Sequence, residues 1–330
     1  ILLKDIGVPN SLCQNGICCS QLKRTRNQNL KRHFLLFILL CLSGFLFSSY
    51  PLQLKTNNLA IYAQNPVSQP LAEMLKAMDE NIDSFQMELG VYVDALAPVY
   101  LIENNRSYQT LALGKAKIVE FSDAFYSGTE KRIYVKPLAS IQENHRKILM
   151  HEYIHWYLEQ VFTQTPLWFH EGMATHFSRQ MGFEQYLYFL QQSFLGEKSD
   201  FFRLSYSYPE KKEDWSLFYL SSTMAISYLK NKKNEQWNSF WEMVAQQHRK
   251  NLQAPFTECF NRAFHTTFYD FHKEYARYIK HLRYQYLFWS INALLALLIP
   301  VILIIAWRIR KKRLASLPDL PLPEDEETEM

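Results

Sequence analysis

Apolar and polar positions alternate in short stretches through the first part of the chain, up to about residue 141. The segments NLAIYAQ (58–64), PVYLIE (98–103) and KRIYVKPL (131–138) have the β-branched and aromatic content of strands. Between the first two, PLAEMLKAMDENIDSFQMEL (70–89) repeats apolar residues at helical spacing. This half is therefore predicted to mix strands with an amphipathic helix.

From residue 142 onward the apolar residues follow helical spacing. The candidate helices are ENHRKILMHEYIHWYLEQ (143–160), PLWFHEGMATHFSRQ (166–180), WSLFYLSSTMAISYLKN (215–231), NEQWNSFWEMVAQQ (234–247) and FYDFHKEYARYIKHL (268–282). A half with strands followed by a mainly helical half predicts an α+β fold. No Gly/Ser-rich linker or internal repeat divides residues 51–283, which favours one domain.

The first long apolar run is FLLFILLCLSGFLFSS, and it follows a basic region that covers residues 1–33. A positively charged stretch before an apolar one is the arrangement of a secretory signal, so residues 34–50 are predicted to be a signal peptide or a signal anchor. No methionine precedes Met74, and the sequence from Leu30 onward would open as an ordinary signal peptide. We therefore hypothesise that translation starts at Leu30. Detection of peptides from residues 1–29 in the precursor by mass spectrometry would reject this hypothesis.

The second apolar run, LFWSINALLALLIPVILIIAW at residues 287–307, has the roughly 20 residues that a helix needs to span a bilayer. A basic cluster follows it directly: Arg308, Arg310, Lys311, Lys312 and Arg313. Basic flanks favour the cytoplasmic side. The sequence thus predicts a transmembrane helix at 287–307, a cytoplasmic tail at 308–330, and an extracytoplasmic domain at 51–283 whose partner is the lipid bilayer.

Composition narrows the function classes. The net charge is only +4, and much of the positive charge flanks the apolar runs, so nucleic acid is not an expected partner. Of the five cysteines only Cys259 lies within residues 51–283, which excludes a disulfide inside that domain. The cluster CQNGICC at 13–19 has no histidine nearby and is a poor zinc site.

The segment HEYIH, residues 151–155, places two histidines four positions apart with a glutamate after the first. Residues four apart on a helix face the same way, so His151 and His155 can direct ring nitrogens at one metal ion. Glu152 is rotated away from the ligand direction and can take a proton from zinc-activated water, which is the metallopeptidase interpretation of HExxH. The alternative is an ordinary core helix whose histidines hydrogen-bond to neighbours.

A catalytic zinc ion usually has three protein ligands and one open position. The metzincin continuation of HExxH is absent, so the third ligand has to come from elsewhere. Glu171 lies sixteen residues after His155, beyond a turn predicted at Pro166, and can return to face the first helix as the third member of a His2Glu set. His170 and His176 are competing donors.

The segment HEYIHWYLEQVFTQTPLWFHEGMATHF (151–177) resembles the gluzincin zinc metallopeptidases, particularly bacterial peptidase MA-like families in which P-x-W-x-x-E-G-x-A follows HExxH. Those positions are Pro166, Trp168, Glu171, Gly172 and Ala174. In weaker form the resemblance extends from about Val99 to Ile279. It implies a zincin-like domain that hydrolyses peptide or protein substrates. It also implies one Zn²⁺ on His151, His155 and Glu171, with Glu152 as general base.

Two further assignments concern the substrate. By the same resemblance, the strand Arg132–Lys136 would line the cleft and pair with an extended peptide, although an ordinary core strand fits the sequence equally well. Tyr219 is the first candidate for stabilising the oxyanion of the transition state, with a core position on an aromatic-rich helix as its alternative. His170 could instead contact a metal ligand or line the cleft.

The function predicted from the sequence is a membrane-anchored zinc metallopeptidase. The rival is a non-catalytic zinc-binding or peptide-binding surface module on a peptidase-like fold. The complete HExxH together with Glu171 argues against this rival, because a module without turnover has no chemical need for Glu152. Two membrane spans at most are too few for a transport path, which disfavours a transporter.

Overall fold

The computed structural model describes residues 50–113, 123–137, 143–195, 206–211 and 213–316. The basic region 1–33, nearly all of the predicted signal segment and the tail beyond residue 316 lie outside these ranges. The described residues from Leu52 onward belong to one unit. In the described part, strands and helices mix in the first half and helices make up most of the second, as the sequence predicted.

The described strands are β1 (Leu52–Lys55), β2 (Leu59–Ala63), β3 (Ala97–Leu101), β4 (Ala124–Ser127) and β5 (Arg132–Val135). They form one sheet in the order β1-β2-β3-β5-β4. β2, β3 and β5 run parallel, and the outer strands are antiparallel to their neighbours. β5 pairs with β3 on one side and with β4 on the other, so the predicted pairing of Arg132–Lys136 with a peptide is wrong. In the described sheet the edge strand beyond β5 is β4, and β1 forms the opposite edge.

The described helices are α1 (Gln69–Leu89), α2 (Asn105–Ala112), α3 (Glu143–Val161), α4 (Leu167–Phe177), α5 (Phe183–Leu195), α6 (Glu213–Lys232), α7 (Asn234–His248), α8 (Phe256–Phe264) and α9 (Phe268–Ala315). Helix α1 connects the parallel strands β2 and β3. Its buried face includes Leu71, Leu75, Met78 and Ile82, at helical spacing. Gly90 ends α1 in the left-handed region, at φ 68°, which glycine adopts without strain.

An aromatic core joins the C-terminal helices around α4. Trp168 is fully buried and stacks on Phe268 and Phe271, at the start of α9. Phe169, also fully buried, packs on Phe240 of α7 and on Phe256 of α8. Buried aromatic side chains contribute large apolar areas to a core. Helix α4 is thereby fixed between its neighbours immediately before Glu171.

Helix α9 is 48 residues long and changes environment along its length. Near its start Phe271 and Tyr275 are buried in the core. Farther along it contains an apolar window with none of its residues buried, and by length and composition it is the one helix in the described chain that could cross a membrane. The helix continues without a break through residues 283–287, where the sequence predicted the domain to end, and it includes Pro300.

Candidate metal centre

Two helices present the residues of the site. Helix α3 presents His151 and His155 one turn apart, while Ile154 and Leu158 of the same helix are fully buried in the core. Helix α3 is therefore a core helix and a carrier of the histidine pair at the same time. Helix α4 begins after Pro166, whose carbonyl oxygen accepts hydrogen bonds from the first-turn amides of the helix.

The structure brings His151, His155 and Glu171 together. Oε2 of Glu171 lies 3.4 Å from Nε2 of His151 and 3.6 Å from Nε2 of His155. One ligand atom from each residue lies within 4.8 Å of the others. Zinc bonds of about 2.0–2.2 Å in a tetrahedral arrangement separate neighbouring donor atoms by roughly 3.4 Å. The two contacts of Glu171 match that separation closely.

The surroundings of Glu171 fit a bound divalent cation. Its side chain is only 2% exposed. Oε2 is buried and accepts no hydrogen bond from the residues that the structure describes. A carboxylate oxygen buried without a donor is unfavourable unless a positive charge compensates it. Two imidazoles and one carboxylate are an established ligand set for catalytic zinc, so the donors fit Zn²⁺ in chemistry and in spacing.

The pKa shifts of Glu171 and His155 also fit a site for a cation. Burial by itself would raise the pKa of Glu171, but the charge of His155 and the contacts with both imidazoles hold that pKa well below its usual range. Burial opposes protonation of His155, yet the neighbouring Glu171 carboxylate leaves the pKa of His155 raised. This pocket therefore stabilises a carboxylate and a positive charge beside it.

Glu152 lies next to the ligand group and is held by the sheet. The backbone N–H of Tyr126, in the edge strand β4, donates a hydrogen bond of 2.7 Å to Oε2 of Glu152. Burial raises the pKa of Glu152, while the charges of His151 and His155 act in the opposite direction. A carboxylate with a raised pKa is a stronger proton acceptor, as a general base requires.

The side chains of Tyr208 and Tyr219 lie beside this site, and of these two the sequence pointed only to Tyr219. The Tyr219 ring centroid lies 6.4 Å from that of His151, and Tyr219 lines the cavity beside it. The hydroxyl of Tyr208 donates a short hydrogen bond to Oε1 of Glu171. Tyr208 comes from a stretch outside the helices and strands, in SYSYPE, where no periodic pattern or motif singles it out. It holds the carboxylate oxygen that faces away from the histidine pair.

The two competing donors occupy different places. Nδ1 of His170 lies 3.4 Å from Nδ1 of His155, on the side of that ring opposite the nitrogen that faces Glu171. Burial, with a further effect of His155, lowers the pKa of His170 to about 3. His170 is thus a neutral neighbour of a ligand. His176 lies outside the three-residue donor group, and burial together with Lys230 lowers its pKa to about 4.

A cavity of about 1160 Å³ opens over these residues. Its walls come from β4, α3, α4, α5 and α6, and they include Ala124, Tyr126, Tyr188 and Tyr219. Pockets for small molecules usually measure about 300–1,000 Å³. This volume suits a segment of several residues, and the edge strand β4 forms one side of it.

Helices α4 and α6 are in very close contact at Gly172. A Cβ atom there would lie 2.5 Å from the backbone oxygen of Ser222 and 2.7 Å from Cγ1 of Ile226. We expect Gly172→Ala to lower the free energy of unfolding by about 2–3 kcal/mol, because the backbone of α6 would have to move. Urea denaturation of the full-length protein in detergent measures the loss.

Gly128→Ala is the matched control for Gly172→Ala, since the atoms nearest to its added Cβ belong to the side-chain end of Glu159 and not to a helix backbone. We expect a loss below about 1 kcal/mol at that position. If both variants lost the same free energy of unfolding, close packing of the α4 and α6 backbones would not explain why residue 172 is a glycine.

Removing the Tyr208 hydroxyl tests its contact with Glu171. We expect Tyr208→Phe to weaken zinc binding by about 10–100-fold, the usual loss when a metal ligand loses its hydrogen-bonding partner. The ring that packs on Phe218 is retained. Competition titration with a zinc-sensitive dye gives the affinity. Tyr228→Phe removes a similar 2.6 Å contact to Glu274 away from the site, and an equal loss of zinc affinity in that variant would reject the assignment.

Comparison with known proteins gives a distant likeness. No family model matches the chain, and no curated protein matches it. Among solved structures, the crystal structure of a glutamate-to-alanine mutant of an M1 zinc metallopeptidase from Deinococcus radiodurans matches with a TM-score of 0.33 and 14% sequence identity. The match covers 70% of this chain and 51% of that one, so the chain spans about half the length of that enzyme. So distant a likeness decides neither fold nor activity, and the functional assignment depends on the site itself.

Proposed function

We propose that this chain is a membrane-anchored zinc metallopeptidase that hydrolyses peptide bonds, with one Zn²⁺ held by His151, His155 and Glu171. The observation that carries the proposal is the position of Oε2 of Glu171, 3.4 and 3.6 Å from the Nε2 atoms of the two histidines. Glu152, directly after the first histidine, supplies the base that a binding module without turnover would not need.

Each residue of the site has a chemical role. When bound, zinc supplies a positive charge that polarises a peptide carbonyl and activates water. Glu152 accepts the proton of the attacking water and delivers it to the leaving amine. The Tyr126 N–H keeps the Glu152 carboxylate in place. The Tyr219 hydroxyl donates to the carbonyl oxygen as negative charge develops on it, since burial and Glu171 keep the pKa of Tyr219 far above neutrality.

The edge strand β4 is the proposed binding site for the peptide backbone. Among the described strands its one neighbour is β5, and Ala124 and Tyr126 line the cavity. An extended peptide can add to such an edge by main-chain hydrogen bonds. The peptide would then lie beside Glu152, which touches the same strand.

The proposed anchor is the apolar part of α9. Its exposed side chains are those of a lipid-facing helix, and the basic cluster at 308–313 follows it. Because basic flanks favour the cytoplasmic side, the metal site lies on the opposite side of the membrane.

The function is tested on the full-length protein in detergent. We expect about one zinc ion per chain by elemental analysis, and cleavage of a randomised octapeptide library detected by mass spectrometry. The chelator 1,10-phenanthroline should stop cleavage, and added zinc should restore it. Stoichiometric zinc with no cleavage of any peptide would instead support a non-catalytic zinc-binding module.

A further inference from the structure

Helix α5 connects the cavity to the helix that enters the proposed membrane span. Near its N-terminal end, Glu184, Gln185 and Tyr188 line the cavity. At its C-terminal end, the Ser193 carbonyl oxygen accepts a hydrogen bond of 2.5 Å from Nη1 of Arg283 in α9. One helix therefore forms both the rim of the cavity and a contact with α9 close to Leu287, where the predicted span begins.

Helix α5 packs beside α9 at its C-terminal turn. The Phe194 ring centroid lies 6.2 Å from that of Tyr286, the residue directly before Leu287. The hydrogen bond from Arg283 to the Ser193 carbonyl oxygen is a second contact in the same region. Tyr188 precedes Phe194 by six residues in α5, so about 9 Å of helix separate the two positions.

These contacts place the rim of the cavity close to the bilayer. Tyr188 is six helical residues from Phe194, and Tyr286, which Phe194 contacts, directly precedes Leu287. Tyr188 therefore lies at most about 10 Å from the start of the apolar run. The headgroup layer of one leaflet is roughly 5–8 Å thick, half the difference between the full bilayer and its hydrocarbon core. The rim at Tyr188 thus lies within or just outside the headgroups.

We infer that the substrates of this site are polypeptides attached to the same membrane, cut in the extended segment next to the bilayer. The inference rests on the proposed function. The rim lies at most about 10 Å from the apolar core, and a compact cavity of 1160 Å³ is about 10 Å across. At about 3.3 Å per extended residue, the scissile bond lies within roughly six residues of the membrane core.

The first arm of the test varies the height of the substrate. Full-length protein is reconstituted in phosphatidylethanolamine/phosphatidylglycerol vesicles with substrates that share one transmembrane helix and one randomised octapeptide segment. Rigid helical spacers of about 0, 12 and 24 residues raise that segment by about 0, 18 and 36 Å. At equal surface density, we expect the lowest segment to be cut at least 10-fold faster than the highest. Glu152→Gln protein is the blank.

The second arm varies the height of the enzyme. An insertion of eleven helical residues between Tyr286 and Leu287 adds about 16 Å, or three turns, and keeps the face of α9 nearly unchanged. We expect the preferred spacer to lengthen by about the same distance. The same eleven residues inserted after Ser316 lie beyond the span and should leave the preference where it was.

Each outcome separates this inference from the function on which it rests. A height preference that moves with the insertion at Tyr286 supports the inference. Equal cutting at every height, or a preference that ignores that insertion, overturns it while the peptidase function stands. If neither the anchored segments nor a soluble octapeptide library is cut, the peptidase function itself fails, and this inference fails with it.

Discussion

Glu152→Gln is expected to lower kcat/KM for peptide cleavage by about 10³-fold or more, because an amide cannot accept the proton that a general base removes. Glutamine has the same shape and still offers an oxygen to the Tyr126 N–H, which donates to Oε2 of Glu152 in the native protein. Zinc binding and the unfolding temperature should therefore change little. Cleavage of the best peptide from the library is followed by chromatography, and bound zinc by elemental analysis.

Glu80→Gln is the matched control, since Glu80 is an exposed glutamate of helix α1 away from the metal group. We expect it to keep full activity. Cleavage by Glu152→Gln within 10-fold of the native rate would reject Glu152 as the base. Loss of zinc in Glu152→Gln would instead show that the carboxylate has a structural role in the ligand group.

Glu171→Gln is expected to have the second large effect, on the metal itself. Loss of the hydrogen-bonding partner of a metal ligand weakens zinc binding by about 10–100-fold. Loss of the ligand itself should weaken zinc binding by more than that. The metal-free variant should fold but be less stable than the metal-free native protein, because the neutral amide loses the attraction to the imidazoles that holds the pKa of Glu171 below its usual range. Ligand binding stabilises a folded state, so added zinc should raise the unfolding temperature of the native protein but not of this variant.

Glu152→Gln serves here as the reference, since it removes a neighbouring carboxylate while leaving the ligands intact. We expect zinc to stabilise Glu152→Gln as it does the native protein. Undiminished zinc binding by Glu171→Gln would exclude Glu171 as a ligand and with it the His2Glu site. Calorimetry at several zinc concentrations makes the comparison.

The part of the site that depends on helical spacing can be predicted from the sequence. Residues four apart on a helix share a face, so the spacing of His151 and His155 predicts their convergence without tertiary information. For the third donor, the chemistry of zinc and a turn at Pro166 favour Glu171 but leave His170 and His176 as alternatives. The structure places the ligand atoms of these three residues within 4.8 Å of one another.

What the sequence missed depends on pairing between distant segments. With four residues, β4 is too short to show an alternating pattern. Peptide pairing was therefore assigned to Arg132–Lys136, which forms an internal strand of the sheet. The donor to Glu152 is a backbone N–H, which has no residue type to recognise. Tyr208 reaches Glu171 from a segment without regular structure. Strand β1 and helices α2, α5 and α8 were likewise not predicted, although α5 forms part of the cavity wall.

Helix α9 also decides where the chain can be shortened to give a fragment suitable for crystallisation. A cut before Phe268 would remove the two rings on which Trp168 stacks. Trp168 lies three residues before Glu171 in α4, so the position of Glu171 would lose support. A cut at residue 283 would still remove Tyr286 from its contact with Phe194. The shortest fragment that keeps both contacts ends at Tyr286, immediately before the apolar run begins at Leu287.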